Sequence, residues 1–257
     1  LRTGLLPARG RRGDPAHRRG VPPPVGPPGR RPPRRPLPPL IDNVRQIHLP
    51  VGYASPAELL AEVADLYRRD RTQGQPWAPW LATEKDTLRT LLAEWVDPYG
   101  LPVLVLRGFS SETYIQRVRE MLAGESRPRI LAFIGDHDAS GEAILDDWLH
   151  RTGPATWTAV ERIALTHEQV ITNRLPAAVG KADDPRWPAF ARRFQFDPAR
   201  PVQWEVKALE PAELQRLVLA TVQRYVDPEQ LRRTVEAEHL DLRRLHGFLR
   251  RWPWTES

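Results

Sequence analysis

Between residues 80 and 165 four short apolar runs alternate with amphipathic stretches, and this alternation limits the fold more than any other feature. The runs are 80–83 (WLAT), 102–106 (PVLVL), 129–134 (RILAFI) and 158–165 (TAVERIAL). Runs of this length, bounded by polar or turn residues, read as strands. The stretch 86–96 sets Leu88, Leu91, Leu92, Trp95 and Val96 on one helical face. A second helix, with Ser110 as its cap, carries Ile115, Val118 and Leu122, and 141–149 turns Ile144, Leu145, Trp148 and Leu149 inward. The order is βαβαβαβ. Strands separated by helices predict an α/β fold: a parallel sheet covered by helices on both faces.

The flanks carry their own punctuation. Ser55-Pro56-Ala57-Glu58 is a capping box with proline at the first helical position, opening a helix to about residue 69. Thr166-His167-Glu168-Gln169 is a second capping box. Residues 172–202, rich in Pro, Arg and Trp, read as an irregular excursion, and 203–209 as a returning strand. Two helices follow, over 211–226 and from Asp227-Pro228 to about residue 245. This divides the chain into a tail (1–40), a helical lead-in (41–76), an α/β core (77–172) and a last region (173–257) of irregular chain, a strand and helices.

Charge must be split before it is used. The net charge of +6 arises because residues 1–40 hold ten arginines and one aspartate, whereas residues 41–257 hold 28 basic and 31 acidic residues. The folded part is therefore slightly acidic, and overall basicity is no argument that it binds nucleic acid. Twelve prolines and six glycines crowd the same forty residues. Such a segment cannot offset its ordering entropy and is expected to be disordered, either as a basic arm that grips phosphates or as a solvated tail. With 35 arginines against three lysines, and no initiating Met, the tail also reads as a misassigned start or out-of-frame stretch from a GC-rich gene. There is no cysteine, which excludes disulfides and thiolate metal sites. No run is long enough to span a membrane, and LRTGLLPARGRRG has no apolar signal region, so a cytoplasmic location is expected.

The chemistry concentrates in GDHDASGEAI, 135–144. Ligands of parallel sheets sit beyond the carboxyl ends of the strands, and three acidic residues fall at such ends: Glu84, Asp136 and Asp138. Residues two apart in extended chain project to one side, so Asp136 and Asp138 converge while His137 points away. Three carboxylates with no lysine close by in sequence would repel one another unless a hard cation such as Mg²⁺ joined them. Ser140 and Gly141 stand where the next helix begins, with amide donors suited to a phosphate. The implied chemistry is metal-assisted phosphoryl transfer. The plainer reading is that an aspartate caps the helix and Glu84 is solvated.

The run TEKD (83–86), LRGFSS (106–111), GDHDASG (135–141) and WEVKALEP (204–211) resembles the Toprim domain of topoisomerases, primases and certain nucleases. It is most similar to relatives of the DNA-cutting subunit of topoisomerase VI, of the actinobacterial and phage type, over about residues 41–226. The resemblance implies a Toprim-like, Rossmann-like sheet, with Glu84 as general acid/base or metal ligand, Asp136 and Asp138 as Mg²⁺ ligands, and DNA as substrate. Ala139 replaces the usual proline, and Lys207 stands where an aspartate is usual. The family's cutting tyrosine lies on a winged helix before the Toprim domain, and residues 1–40 contain no tyrosine. Strand passage by this chain alone is therefore not expected. A homodimer and a separate tyrosine-bearing or ATPase partner are the assemblies the resemblance implies.

Further candidates surround this core. Arg107, at a strand end, reads as a phosphate contact or a surface ion pair. Lys181, Arg186, Arg192 and Arg193, interleaved with Trp187 and Phe190, form a basic-aromatic strip that could follow a nucleic-acid strand, or an ordinary loop. Glu205 is a further acidic contact or an exposed strand residue. Two rivals stand beside the cleaving enzyme. One is a non-catalytic nucleic-acid-binding protein with a vestigial metal site. The other is a haloacid-dehalogenase-type phosphatase, for which DHDAS has the right look but the downstream lysine and acidic pair do not.

Overall fold

A computed structural model describes residues 50, 52–108, 110–153 and 155–252. The chain divides into two units, Leu1–Gly52 and Tyr53–Ser257, and the architecture that follows is that of the second. The expected disorder of residues 1–40 lies outside the described residues.

The apolar runs form four strands: β1 (Ala78–Thr83), β2 (Val103–Val105), β3 (Arg129–Ile134) and β4 (Ala159–Ala164). They make one parallel sheet in the order β2-β1-β3-β4. β1 is buried along its whole length, as a central parallel strand should be. The connecting helices are α2 (Asp86–Val96), α3 (Glu112–Ala123) and α4 (Ala139–Thr152), preceded by α1 (Pro56–Leu66). The α/β expectation holds, as do the ends of α2 and β3. One cap is corrected: Ser111, not Ser110, precedes α3, its hydroxyl accepting from the Tyr114 amide at 3.3 Å.

Strand alternation sorts the core into two layers. Leu81, Ala132 and Ile134 face Leu92 and Val96 of α2 and Leu214, Val218 and Val222 of α7 (Pro211–Tyr225). Trp80, Ala82, Leu131 and Phe133 face α3, through Ile115, Val118 and Leu122, and α4, through Ile144, Leu145 and Trp148. Helices thus cover both faces. α8 (Pro228–Leu249) closes the chain against α1.

The region after α5 (His167–Thr172) is more ordered than its composition suggests. It contains a two-residue antiparallel pair, β5 (Ala178–Val179) with β6 (Val202–Gln203), and a helix, α6 (Trp187–Phe194). The strand expected over 203–209 is instead the end of β6, a single bridge from Trp204 to His137, and a 3₁₀ turn at Val206–Ala208. Trp187, Phe190, Phe194, Phe196 and Trp204 pack into one aromatic cluster, and the tryptophan-led helix is drawn in by this burial. Among the described residues, no helix is long and apolar enough to cross a membrane.

Candidate functional site

The strand order makes one place in the sheet special. From β1 the chain moves to β2 on one side, and β3 lies on β1's other side. The carboxyl ends of β1 and β3 therefore flank a switch in direction, where a crevice opens because the following helices leave toward opposite faces. Glu84 directly follows β1; Asp136 and Asp138 follow β3. All three line one cleft of about 280 Å³.

Each carboxylate is held differently. Asp136 is buried: its Oδ1 accepts from the Val206 amide at 2.8 Å, and its Oδ2 lies 2.6 Å from Lys85 Nζ. Asp138 is the N-cap of α4, accepting from the Gly141 amide at 2.6 Å. The same side chain caps the helix and lines the cleft. Glu84 is mostly buried, and its Oε2 has no hydrogen-bond partner. Burial, then the charges of Asp136 and Asp138, raise its pKa to about 7, against the opposing pull of Lys85 and Arg162. Two glycines make this crowding feasible. A Cβ on Gly141 would lie 2.6 Å from the Asp136 carbonyl, 3.0 Å from Glu84 Oε2 and 3.4 Å from Asp138 Oδ1; one on Gly135 would strike the Phe133 ring at 2.6 Å.

His137 points away, as extended geometry requires. Its ring sits among Phe190, Phe194, Phe196, Trp204 and His167, with neither nitrogen hydrogen-bonded. Burial, then the charges of Arg162, His167 and Arg193, lower its pKa to about 3, so it is neutral. Its backbone exchanges two hydrogen bonds with Trp204, at 2.8 and 3.2 Å, tying the acidic turn to the segment leading into α7.

Lys85, Arg162 and Glu142 also shape the site, though none of them stands out in the sequence. The expectation that no lysine stands near the carboxylates is corrected by Lys85, the neighbour of Glu84, which bridges Asp136 and, at 3.4 Å, Glu205. Burial works most strongly against that ammonium, but the bond to Asp136, the charge of Asp136 and the pairing with Glu205 together outweigh it and raise its pKa. Arg162, a charge in the middle of β4, donates to the carbonyls of Asp136 at 2.5 Å and Leu165 at 2.6 Å. It also pairs with Glu142 in the first turn of α4 at 2.7 Å. The visible signals were the Glu-Lys dipeptide and two charges inside TAVERIAL.

The other candidates divide. Ser140 lines the cleft, but its hydroxyl accepts from Arg186 at 3.3 Å, and the Gly141 amide is taken by Asp138. Lys181 lines the cleft as well. Arg186 is paired with Asp184 at 2.8 Å, Arg193 with Glu142 at 2.9 Å, and Arg192 is exposed on α6. Arg107 belongs elsewhere: it pairs with Asp86 at 2.6 Å in a separate depression beside β2. Glu205 lines the cleft between Lys85 and Lys207. Among the described residues no tyrosine lines it; the Tyr114 hydroxyl accepts from the Val105 amide, and the ring packs on Trp148.

The donor set suits a hard cation in kind: carboxylate oxygens, one of them buried and unpartnered beside two glycines. In arrangement it is incomplete, because among the described residues no three acidic or imidazole groups close around one point. A scan against protein-family models finds no match, and a search of curated proteins finds no relative.

Proposed function

We propose that this chain is a Toprim-like protein acting on DNA phosphodiesters with Mg²⁺, in the manner of the DNA-cutting subunit of topoisomerase VI, in a cytoplasmic setting. The observation that carries this reading is the unpartnered Glu84 carboxylate beside Asp136 and Asp138 at the direction switch of a parallel sheet. Three acidic groups with one buried oxygen unsatisfied make a costly arrangement, which Lys85 and a proton on Glu84 relieve in part and a bound cation would relieve further. Asp136, Asp138 and Glu84 would hold the ion, which when bound supplies charge stabilisation to the attacked and leaving oxygens. Glu84, with its pKa raised to about 7, is suited to take or give a proton near neutrality. Arg162 fixes the backbone beneath Asp136. Lys181, Arg186, Arg192 and Arg193 would supply the contacts to a nucleic-acid strand. The nucleophile is water or a tyrosine from another domain or chain, and a homodimer or an ATPase partner would complete strand passage.

The Lys85–Asp136 pair favours a second reading, a nucleic-acid-binding protein whose lysine has replaced the ion. Incubation with supercoiled plasmid separates the two. The cleaving enzyme nicks or linearises DNA in Mg²⁺ and not in EDTA, and Asp136→Ala and Glu84→Ala each lower the rate at least 100-fold. Equal DNA binding in EDTA, with no cutting in any divalent metal, removes the enzymatic reading. Turnover of a small phosphate ester instead would restore the phosphatase.

A further inference from the structure

The cleft contains its own positive charge. Lys85 Nζ lies 2.6 Å from Asp136 Oδ2 and 3.4 Å from Glu205 Oε2, while Asp136 Oδ1 is engaged by the Val206 amide. The two oxygens of the most buried acidic ligand candidate are thus both occupied. The same ammonium makes no hydrogen bond to Glu84, whose Oε2 stays buried and unpartnered. The site is therefore partly neutralised at one carboxylate and still short of positive charge at another.

We propose that Lys85 is a tethered counter-ion, and that a divalent cation reaches Asp136 only by displacing its ammonium, so that Lys85 holds the metal affinity low. This rests on the magnesium reading above. An ammonium and a metal ion sharing one carboxylate oxygen would repel at short range, so the two states exclude each other. The stem gives the lysine somewhere to go. It is flexible and its side chain is 32% exposed, and Glu205, which also lines the cleft, is a second anion to which it can retreat. Displacement also explains why three acidic residues gather without closing around one point: the ammonium holds Asp136 in its present orientation.

Metal binding can be read without activity. Trp187 lines the same cleft and can sensitise Tb³⁺ luminescence, against which Mg²⁺ is titrated as competitor. Lys85→Met is expected to bind Mg²⁺ at least tenfold more tightly than the native protein, and Lys85→Arg to stay near native. Measurable native binding with equal or weaker binding by Lys85→Met overturns the displacement idea and leaves the magnesium reading standing. No binding by either protein at millimolar Mg²⁺ overturns both. Should Lys85→Met fail to fold, the native chain suffices, because it has only three lysines: Lys85, Lys181 and Lys207. Saturating Mg²⁺ should raise acetylation of Lys85 severalfold relative to the exposed Lys207. Bound Mg²⁺ with unchanged Lys85 reactivity refutes the proposal.

Discussion

Two side chains near the acidic turn are forced by burial into the form their surroundings tolerate, and they tilt stability in opposite directions. Glu84, its pKa raised to about 7, holds a proton in the native state that the unfolded chain has lost above about 4.5. Its contribution to stability is present at low pH and disappears as pH rises toward 7. His137, lowered to about 3, behaves inversely: below about 6.5 the unfolded chain takes a proton that the native ring refuses, so stability falls with acid. The native protein should therefore show a flattened profile between pH 4.5 and 6.5. In EDTA, Glu84→Gln should gain about 2–3 kcal/mol over native at pH 8 and little at pH 4, measured by urea unfolding at both pH values. A pH-independent difference would mean that Glu84 is not the proton holder. At this scale the sequence was informative where backbone geometry dictates side-chain direction: the i, i+2 relation put Asp136 and Asp138 on one side and His137 on the other. For Lys85 it offered only the Glu-Lys dipeptide, because a four-carbon stem reaching across to another strand's end leaves no local mark of its partner.

Helices and strands were legible to the degree that their apolar residues were aliphatic and regularly spaced. The four strands and α2 to α4 follow directly from such spacing. α6 does not, because Pro188, Arg192 and Arg193 disguise it. Yet Trp187, Phe190, Ala191 and Phe194 sit at i, i+3, i+4 and i+7, and all but the partly buried Phe194 are buried. The helical period was present in aromatic form. This helix packs against the ring of His137, so its loss should be felt at the acidic turn. Phe190→Ala should cost about 3–5 kcal/mol, the usual penalty for emptying a buried aromatic site. Hydrogen exchange should show faster exchange at the His137 and Trp204 amides, which pair with each other's carbonyls. Unchanged protection there would show that the cluster does not support the turn.

Across the molecule the two rims of the sheet have separate duties. The carboxyl rim carries the cleft. The amino rim is fastened by side chains that join the chain before β1 to the C-terminal helix: Gln75 pairs with the backbone of Asp227, and Glu238 accepts from the Arg69 amide at 3.0 Å and from Arg71 at 2.8 Å. Glu238 is only 4% exposed, so its removal strands a half-buried guanidinium. Glu238→Ala should lower stability by about 2–4 kcal/mol, seen as a reduced urea midpoint, while Mg²⁺ affinity of the folded fraction stays native. The alternation of strands and helices announced the layered architecture. The fastening could not be read in advance, since it joins residues at opposite ends of the folded part.

The reciprocal bonds between His137 and Trp204, with the Val206 amide on Asp136, have a practical corollary. A gene fragment that stops at residue 172 would encode every strand of the main sheet and all three acids, yet omit the backbone that braces them. Its acidic turn would lie open to water, whatever secondary structure the remainder kept. The late part of the polypeptide is thus the keystone of a site whose chemistry is written much earlier.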